Sequence, residues 1–532
     1  MAPTRVAIVG AGASGMSAAY ALSRHPEKFS VTVFDEQPVP GGMATSLPID
    51  PARFGASYIN DGVQGCSPAF ANSLRILREL GFAAEPVQMQ ISFGLRDDFW
   101  SNVFPSDLTA RFAKDIARFG TALKVIKALE VPFAFIPVHV MLRIFRFSTD
   151  FGDKMVYPLV ALFFGTGNQT PYISSAILER VFKDPSMKLF EYDPKSLLAS
   201  IPTMYAFPNL HDLYAAWQRS VASSRSVTFL LDHKVTRIVS RARSRITLEY
   251  TVPQPDDAAR TLDHAAFDEL IFACDADTAR KLLGTHASFI ERNVLGSVKY
   301  LHDLTITHAD ADYMRRHYET AFDPSLAAPD APADALDFAS ERFRPLYYTY
   351  QYPSDRAKLE MSFDLTHYQP QFRGAPPTGP SNSVPSSPHA TDPPTHAASA
   401  QQAEPPFSKH VFQTIFLDRD GSGSLWTADG IRQEKRVAEK WWKQQSHRWQ
   451  HYAKVVPWMM WPNGRHHTQF AGAWTVLNMH ELAVTSGFAA AYRLGAEYPF
   501  RGDEECERLF RLYLGLSHGV RMRKEDRKGF FA

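Results

Sequence analysis

The stretch Val6-Ala7-Ile8-Val9-Gly10-Ala11-Gly12-Ala13-Ser14-Gly15 decides the fold. Four apolar residues in a row, three of them β-branched, read as a strand buried on both faces. The glycine spacing that follows reads as a tight turn running into a helix. Gly10 permits the turn, Gly12 lets backbone approach a pyrophosphate, and Gly15 lets the helix pack against the strand. A helix is predicted over about Ala13 to Arg24. Ala13 and Ser14 stand at its phosphate end, where the helix dipole is positive.

A second strand, Val31-Thr32-Val33-Phe34, ends on Asp35-Glu36. Asp35 lies 20 residues after Gly15, where an acid accepts hydrogen bonds from a ribose hydroxyl. Glu36 takes that place if the strand ends one residue later. Pro40-Gly41-Gly42-Met43 then marks a second point where backbone passes close to a cofactor. A simple NAD-binding βαβ unit does not require that pair, so the reading turns toward FAD.

At 532 residues the chain exceeds one hydrophobic core and divides into two or three units. A 45% hydrophobic and 13% aromatic content describes a globular protein. The net charge of +1 gives no basic excess for a nucleic-acid partner. Cys66, Cys274 and Cys506 are too scattered for a metal or redox spacing and fit a reducing compartment. With no room for a signal before the first strand, a cytoplasmic location is expected.

The expected fold class is α/β: a discontinuous Rossmann-like FAD-binding domain with an inserted substrate domain of mixed β-sheet plus helices. The FAD-binding parts are 1–95, 206–290 and 456–500. A helical cap is expected over 96–205, a substrate domain over 291–455, and a C-terminal helix and tail over 501–532. A helix is expected from Ser67-Pro68 to Gly81. Val227–Leu231, Lys234–Val239 and Ile246–Val252 alternate as a half-exposed antiparallel sheet does. Phe267–Cys274 reads as a further strand, and a helix starts near Asp275. Residues 373–409, rich in Pro, Ser, Thr, Ala and Gln, read as a disordered insertion. The apolar run Val131–Leu142 is too short and too rich in proline to span a bilayer. It reads as a cap helix facing a pocket or core; the alternative is peripheral membrane contact through residues 124–146, where Lys124, Lys127, Arg143 and Arg146 flank the run.

Gly10-Ala11-Gly12-Ala13-Ser14-Gly15, Asp35 and Gly41-Gly42 together resemble the FAD-binding N-terminus of the flavin amine oxidase and phytoene desaturase superfamily. Asp232–Ile238 resembles its second FAD-contacting segment, which implies that the backbone of Val235 holds the adenine. Phe470-Ala471-Gly472-Ala473-Trp474-Thr475, with Asn478-Met479-His480-Glu481 and Ser486-Gly487, resembles the segment that closes over the flavin. The spacing is nearest to a little-characterised branch of predicted FAD-binding oxidoreductases. Gly472 and Glu481 are thereby expected at the cofactor. His480 is a candidate for proton transfer. Lys299 is the candidate for the lysine that holds a water near flavin N5 in amine oxidases, with a solvent-facing edge lysine as the competing reading.

His302, His308, Asp310 and Asp312 carry no metal-site spacing, and no metal is expected. Trp458 and Trp461 are candidates for the wall of an apolar substrate cavity. Non-covalent FAD is expected, with His466 and His467 as the residues for any covalent attachment. The expected chemistry is hydride transfer from a small or lipophilic organic molecule to flavin N5, as in a desaturase, isomerase or oxidase. The alternatives are an amine oxidase and, from another class, a non-catalytic escort protein of the same architecture.

Overall fold

The computed structural model describes residues 2–164, 168–185, 188–242, 245–253, 260–373 and 405–523. The chain opens with β1 (Thr4–Val9), α1 (Ala13–Ser23), β2 (Phe29–Phe34), β3 (Thr45–Pro48), β4 (Tyr58–Asp61) and α2 (Ala71–Glu79). After β5 (Ile91–Phe93) and β6 (Trp100–Ser101) comes a helical stretch containing α3 (Ala113–Ala128), α4 (Glu130–Ala134), α5 (Val138–Ile144), α6 (Tyr157–Phe164) and α7 (Ala176–Lys183). Then follow α8 (Leu210–Ala222), β7 (Val227–Leu230), β8 (Val235–Arg241), β9 (Ile246–Pro253), β10 (Arg260–Phe267), β11 (Glu269–Phe272), α9 (Ala276–Leu283) and α10 (Phe289–Ser297). The remainder supplies β12 (Tyr300–His308), β13 (Tyr347–Tyr352), β14 (Asp355–Asp364), β15 (Phe412–Phe416), β16 (Arg436–Gln445), β17 (Thr468–Phe470), α11 (His480–Leu494) and α12 (Glu504–His518).

Five strands form a parallel sheet in the order β7-β2-β1-β11-β17, with Val6 opposite Val31 on one side and Glu269 on the other. The central β1 is covered on both faces, which explains its unbroken apolar run. Val227–Leu230 departs from the antiparallel expectation: it is the edge of this parallel sheet, beside β2. The antiparallel meander is β8-β9-β10. The strand expected over Phe267–Cys274 is likewise divided. Phe267 ends β10, and the Asp268 carboxylate accepts from the backbone N–H of Arg5 at 2.8 Å where the chain crosses into the parallel sheet.

A second, seven-stranded sheet runs β16-β12-β15-β14-β13-β5-β6. The α/β expectation of a Rossmann-like unit plus a mixed sheet and helices therefore holds. Its strands come from residues 91–101 as well as from 300–445. The helix expected from Ser67 begins at Ala71; before it the Ser67 hydroxyl closes a turn by accepting from Ala69 N–H at 3.2 Å while donating to the Lys188 carbonyl at 3.0 Å. The apolar run near Val131 is two short helices, α4 and α5, separated at Pro137. Most of the 373–409 insertion, residues 374–404, lies outside the described residues. Arg373 and residues 405–409 are described, with a helical turn at Phe407–Lys409. Among the described residues no helix is long and apolar enough to cross a membrane.

Helix α1 is buried from Ser14 to Leu22, clamped between sheet and α11. The clamp depends on Gly487 in α11, where any Cβ would collide with the Ser14 carbonyl and the Ser17 hydroxyl. Gly487→Ala is therefore expected to cost about 3 kcal/mol, the upper end of the overpacking range. Equilibrium denaturant unfolding of the two proteins checks this.

Candidate functional site

The glycines of the first turn divide by what requires them. A Cβ on Gly10, whose φ is +111°, would sit 2.6 Å from the Ala273 carbonyl oxygen, and one on Gly15 would overlap the Gly10 carbonyl. Packing alone dictates those two. Gly12 has an ordinary φ of −73°, and a Cβ there would meet nothing nearer than 3.8 Å. The protein's own packing does not demand glycine at that position. Its effect is to leave open the N-terminus of α1, which has no side-chain cap and no acid in its first turn. Ala13 and Ser14 begin that helix, and the Ser14 hydroxyl accepts from Ser486 at 3.3 Å.

The second glycine pair meets the first turn directly. Gly41 N–H donates to the Ala11 carbonyl at 3.0 Å, and a Cβ on Gly42 would stand 3.2 Å from the Gly12 Cα. Two backbones thus pass side by side at the N-terminal end of α1, and Met43 continues the turn. Asp35, just past β2, accepts from Ala11 N–H at 2.6 Å and Gln37 N–H at 2.8 Å. Burial raises its pKa against those two amides. Glu36 points outward and pairs with Lys234 at 2.6 Å. Val235 is buried at the start of β8, two residues after His233, whose N–H donates to the Asp35 carbonyl at 2.8 Å. The structure thus brings Gly10, Gly12, Ala13, Ser14, Gly15, Asp35, Gly41, Gly42, Met43 and the Val235 segment to the carboxyl edge of the parallel sheet, where such sheets bind ligands.

From the far end of the chain, Gly472 joins the same edge after β17, with φ +151° and its N–H donated to Ser486 Oγ at 2.8 Å. His480 and Glu481 do something else. Glu481 is buried and accepts from the Asn72 and Ser73 backbone amides at 2.8 and 2.7 Å, capping α2. Burial raises its pKa while those amides and Asn72 oppose the shift. The two ring nitrogens of His480 are engaged as well, Nδ1 with Ser73 Oγ at 2.9 Å and Nε2 with Tyr214 Oη at 2.8 Å. Burial pushes its pKa down to about 4, so the imidazole is neutral at pH 7. In this arrangement both residues bind helices α2 and α8 to α11. His466 and His467 precede β17, at the opposite end of the sheet, and His467 pairs with Glu269 at 2.8 Å.

Lys299 is exposed just before β12, which is an interior strand of its sheet and not an edge, and its carbonyl accepts from Ser446 N–H at 2.8 Å. A different lysine reaches the glycine turn. Lys440 of β16 stands 3.3 Å from the Asp61 carboxylate, 3.1 Å from Thr45 Oγ1 and 4.1 Å from the centre of the Trp442 ring. Gln413 of β15 donates to Asp61 at 2.9 Å and accepts from Gln64 at 2.5 Å. Trp442 closes over Gly62, where a Cβ would lie 2.7 Å from the indole. Strand registry places Lys440, Trp442, Asp303, Thr305, Thr307, Gln413 and Ile415 on one face of the seven-stranded sheet. Met361 and Phe363 of β14 continue that face. Asp303 accepts from Asp418 N–H at 2.7 Å, its other oxygen is unpartnered, and burial raises its pKa to about 7.

Trp458 and Trp461, expected at a cavity wall, are half-exposed. His308 bonds Thr414 at 2.9 Å, Asp310 pairs with Arg432 at 2.8 Å, and His302 and Asp312 are exposed. Among the described residues the grouping with metal-compatible spacing is Asp364, His367 and His410. There His410 Nδ1 lies 2.7 Å from the Asp364 carboxylate, in a hydrogen-bonded set beside residues 405–410.

Residues 8–77 match the NAD(P)-binding Rossmann-like domain family. No curated protein matches the chain by sequence. Solved structures match nearly throughout. A CLA-producing fatty acid isomerase from P. acnes aligns over 91% of this chain and 97% of its own, with TM-score 0.54 and 14% identity. A putrescine oxidase with putrescine bound aligns over 93% and 99%, with TM-score 0.54 and 11% identity. Cyclohexylamine oxidase from Brevibacterium oxydans IH-35A aligns over 93% and 100%, with TM-score 0.51 and 11% identity. The fold is the one shared by the fatty acid isomerase, putrescine oxidase and cyclohexylamine oxidase structures. At these identities the likeness is one of architecture, and the chemistry rests on the residues of this chain.

The depressed pKa of His480 has a consequence for stability. Below the ordinary histidine pKa near 6.5 the unfolded chain takes up a proton that the folded chain refuses until about pH 4. Stability contributed by the neutral ring is present above pH 6.5 and lost as pH falls toward 4, about 1.4 kcal/mol per pH unit. His480→Gln is expected to lose about 3 kcal/mol less than the wild type between pH 6.5 and 4. Urea unfolding at the two pH values measures the difference.

Proposed function

We propose that the chain is an FAD-dependent oxidoreductase that binds its flavin non-covalently and acts on a lipophilic organic substrate. The observation that carries the cofactor is Gly12. Packing dictates glycine at 10 and 15 but not at 12, where the missing side chain keeps the open end of α1 clear beside Gly41-Gly42. That is the space a pyrophosphate needs, with the helix dipole favouring its charge. Asp35 supplies a carboxylate at the ribose position, fixed by the amides of Ala11 and Gln37. The location of His466 and His467 at the far end of the sheet supports a non-covalent cofactor.

When bound, the flavin supplies the hydride acceptor. The chain's own residues orient the reactants and exclude water. Gly472 and the start of α11 close the pocket from the C-terminal side. The sheet face of Trp442, Ile415, Met361 and Phe363 offers apolar surface, and Asp303, Thr305, Thr307, Gln413 and Lys440 place a few polar groups on it. A mostly apolar wall with few polar groups suits a lipophilic molecule. The Lys440 ammonium beside that wall is matched by the Asp61 carboxylate, so the wall's apolar character decides the substrate class. The three structural relatives include a fatty acid isomerase and two oxidases named for amines, so an amine substrate is the second outcome to be tested.

The purified chain is expected to be yellow and to release FAD on denaturation. A colourless protein that neither carries nor takes up FAD overturns the reading in favour of an escort role. Gly12→Ala, whose Cβ would meet nothing in the protein nearer than 3.8 Å, is expected to lower FAD content at least tenfold while leaving the apoprotein's melting temperature within a few degrees. Anaerobic bleaching of the flavin is expected with fatty acids or polyenes. Bleaching by amines alone would replace the lipophilic substrate with an amine.

A further inference from the structure

Five of the twelve large apolar side chains exposed among the described residues lie together in the cap: Leu129, Val131, Phe135, Ile144 and Tyr172. Val131 is 73% exposed and Ile144 53%. Packing beneath them joins the set. Phe133 of α4 stacks on Phe145 with ring centroids 6.0 Å apart, which holds Val131 and Phe135 near the end of α5 that carries Ile144. Tyr172 meets His139 of α5 edge-on at 5.3 Å. Phe133, Met141 and Leu142 join the main buried cluster beneath, while Val131, Phe135 and Ile144 lie outside it.

Charge distinguishes this patch from a chance exposure. Residues 111–148 contain seven Lys and Arg against two acids, Asp115 and Glu130, a formal +5 on a chain whose total is +1. Both acids are already paired, Asp115 with Arg118 at 3.1 Å and Glu130 with Arg180. Lys124, Lys127, Arg143 and Arg146 are exposed around the apolar tips, and only Lys127 among them pairs with an acid, Glu179 at 3.5 Å. Apolar tips within a cationic rim have the composition of an interfacial anchor. A second copy in an isologous contact would bring these cations face to face, which the charge opposes. No described helix crosses a bilayer, so such an anchor lies on the surface.

We propose that α4 and the adjoining ends of α3 and α5 dock the cap on an anionic lipid bilayer, with Val131, Phe135 and Ile144 entering the acyl boundary and the four cations meeting the headgroups. The inference goes beyond the redox reading and stands independently of it. It also places α6, which follows the patch and packs on β13 and β14, between the membrane and the sheet face described above.

The test uses the full chain and sucrose-loaded vesicles sedimented from solution. Vesicles of phosphatidylglycerol with phosphatidylcholine are expected to bind the protein, and pure phosphatidylcholine at least tenfold less. Val131→Asp with Phe135→Asp is expected to weaken binding to the anionic vesicles at least tenfold. Lys124→Gln, Arg143→Gln and Arg146→Gln together are expected to do the same while leaving the weak phosphatidylcholine binding unchanged, since each cation near such a surface is worth about a fivefold gain. Both variants are expected to keep the wild-type melting temperature and FAD content, which separates this result from that of the cofactor experiment. Absence of binding to anionic vesicles overturns the proposal, as does binding that neither variant weakens. A dimer in solution that Val131→Asp dissociates, with no vesicle binding, overturns it in favour of a second copy.

Discussion

Close approach of backbones at the N-terminus of α1 is the constraint from which the rest of the architecture follows. Three neighbours converge there with no side chain between them and the helix: the Ala273 carbonyl at Gly10, the Gly41-Gly42 turn at Gly12, and α11 at Gly487. The contacts at Gly10 and Gly487 would each be lost by a single methyl group, because close-packed interiors give way only by tenths of an ångström, whereas a methyl at Gly12 would meet nothing nearer than 3.8 Å. Once α1 is held this way, α11 has a fixed position, and Ser486 on it draws in the Gly472 amide. Segments separated by more than 450 residues of sequence thereby form one edge.

A second tier of interactions holds that edge rigid. His480 and Glu481 lie at the first turn of α11, but their partners belong to α2 and α8. An isolated buried carboxylate is costly, and Glu481 is tolerable only because two amides and the Asn72 side chain neutralise it from the end of α2. The imidazole next to it bridges two hydroxyls and remains uncharged. The pair resembles catalytic chemistry in composition and serves as a joint between three helices. Tyr214, the hydroxyl partner, also packs 3.7 Å from where a Gly41 Cβ would be, so the joint reaches back to the glycine turn.

Local physics made the N-terminal reading legible. A buried apolar strand, glycines at fixed offsets and an acid after the next strand are consequences of adjacent residues, and they lead directly to β1, α1, β2 and Asp35. Sheet membership was not legible in the same way. Val227–Leu230 alternates as a half-exposed strand does, and only its tertiary place beside β2 makes it a parallel edge. Facing direction was hidden too. Glu481 carries a first-turn acid's signature whether it turns to a cofactor or to a neighbouring helix end. Lys299 and Lys440 are both lysines on or beside strands of one sheet, and nothing local ranks them. Asp61 was not legible in the sequence either, because its partners Gln413 and Lys440 are more than 350 residues away.

The junction between the two sheets gives the face of Lys440, Trp442 and Asp303 its character. A sheet face covered only by apolar groups would dock on the Rossmann unit without specifying distance or register. Here the Asp61 carboxylate, placed at the end of β4 beside the glycine turn, is shared by Lys440 from β16 and Gln413 from β15. Two adjacent polar ties to one buried acid fix the sheet against translation as well as separation, because each tie has a directional optimum. That leaves the remaining polar groups of the face at defined heights above the turn. Asp303, on the same face and with one oxygen unpartnered, has its pKa raised to about 7 by burial first and by the Asp418 charge as well, against the Asp418 amide it accepts from. A carboxyl in that condition passes between its charged and neutral forms under ordinary conditions, which a solvated aspartate does not. This sheet face therefore combines apolar side chains with one buried carboxyl of raised pKa, and both are positioned by how the sheet is pinned to the turn.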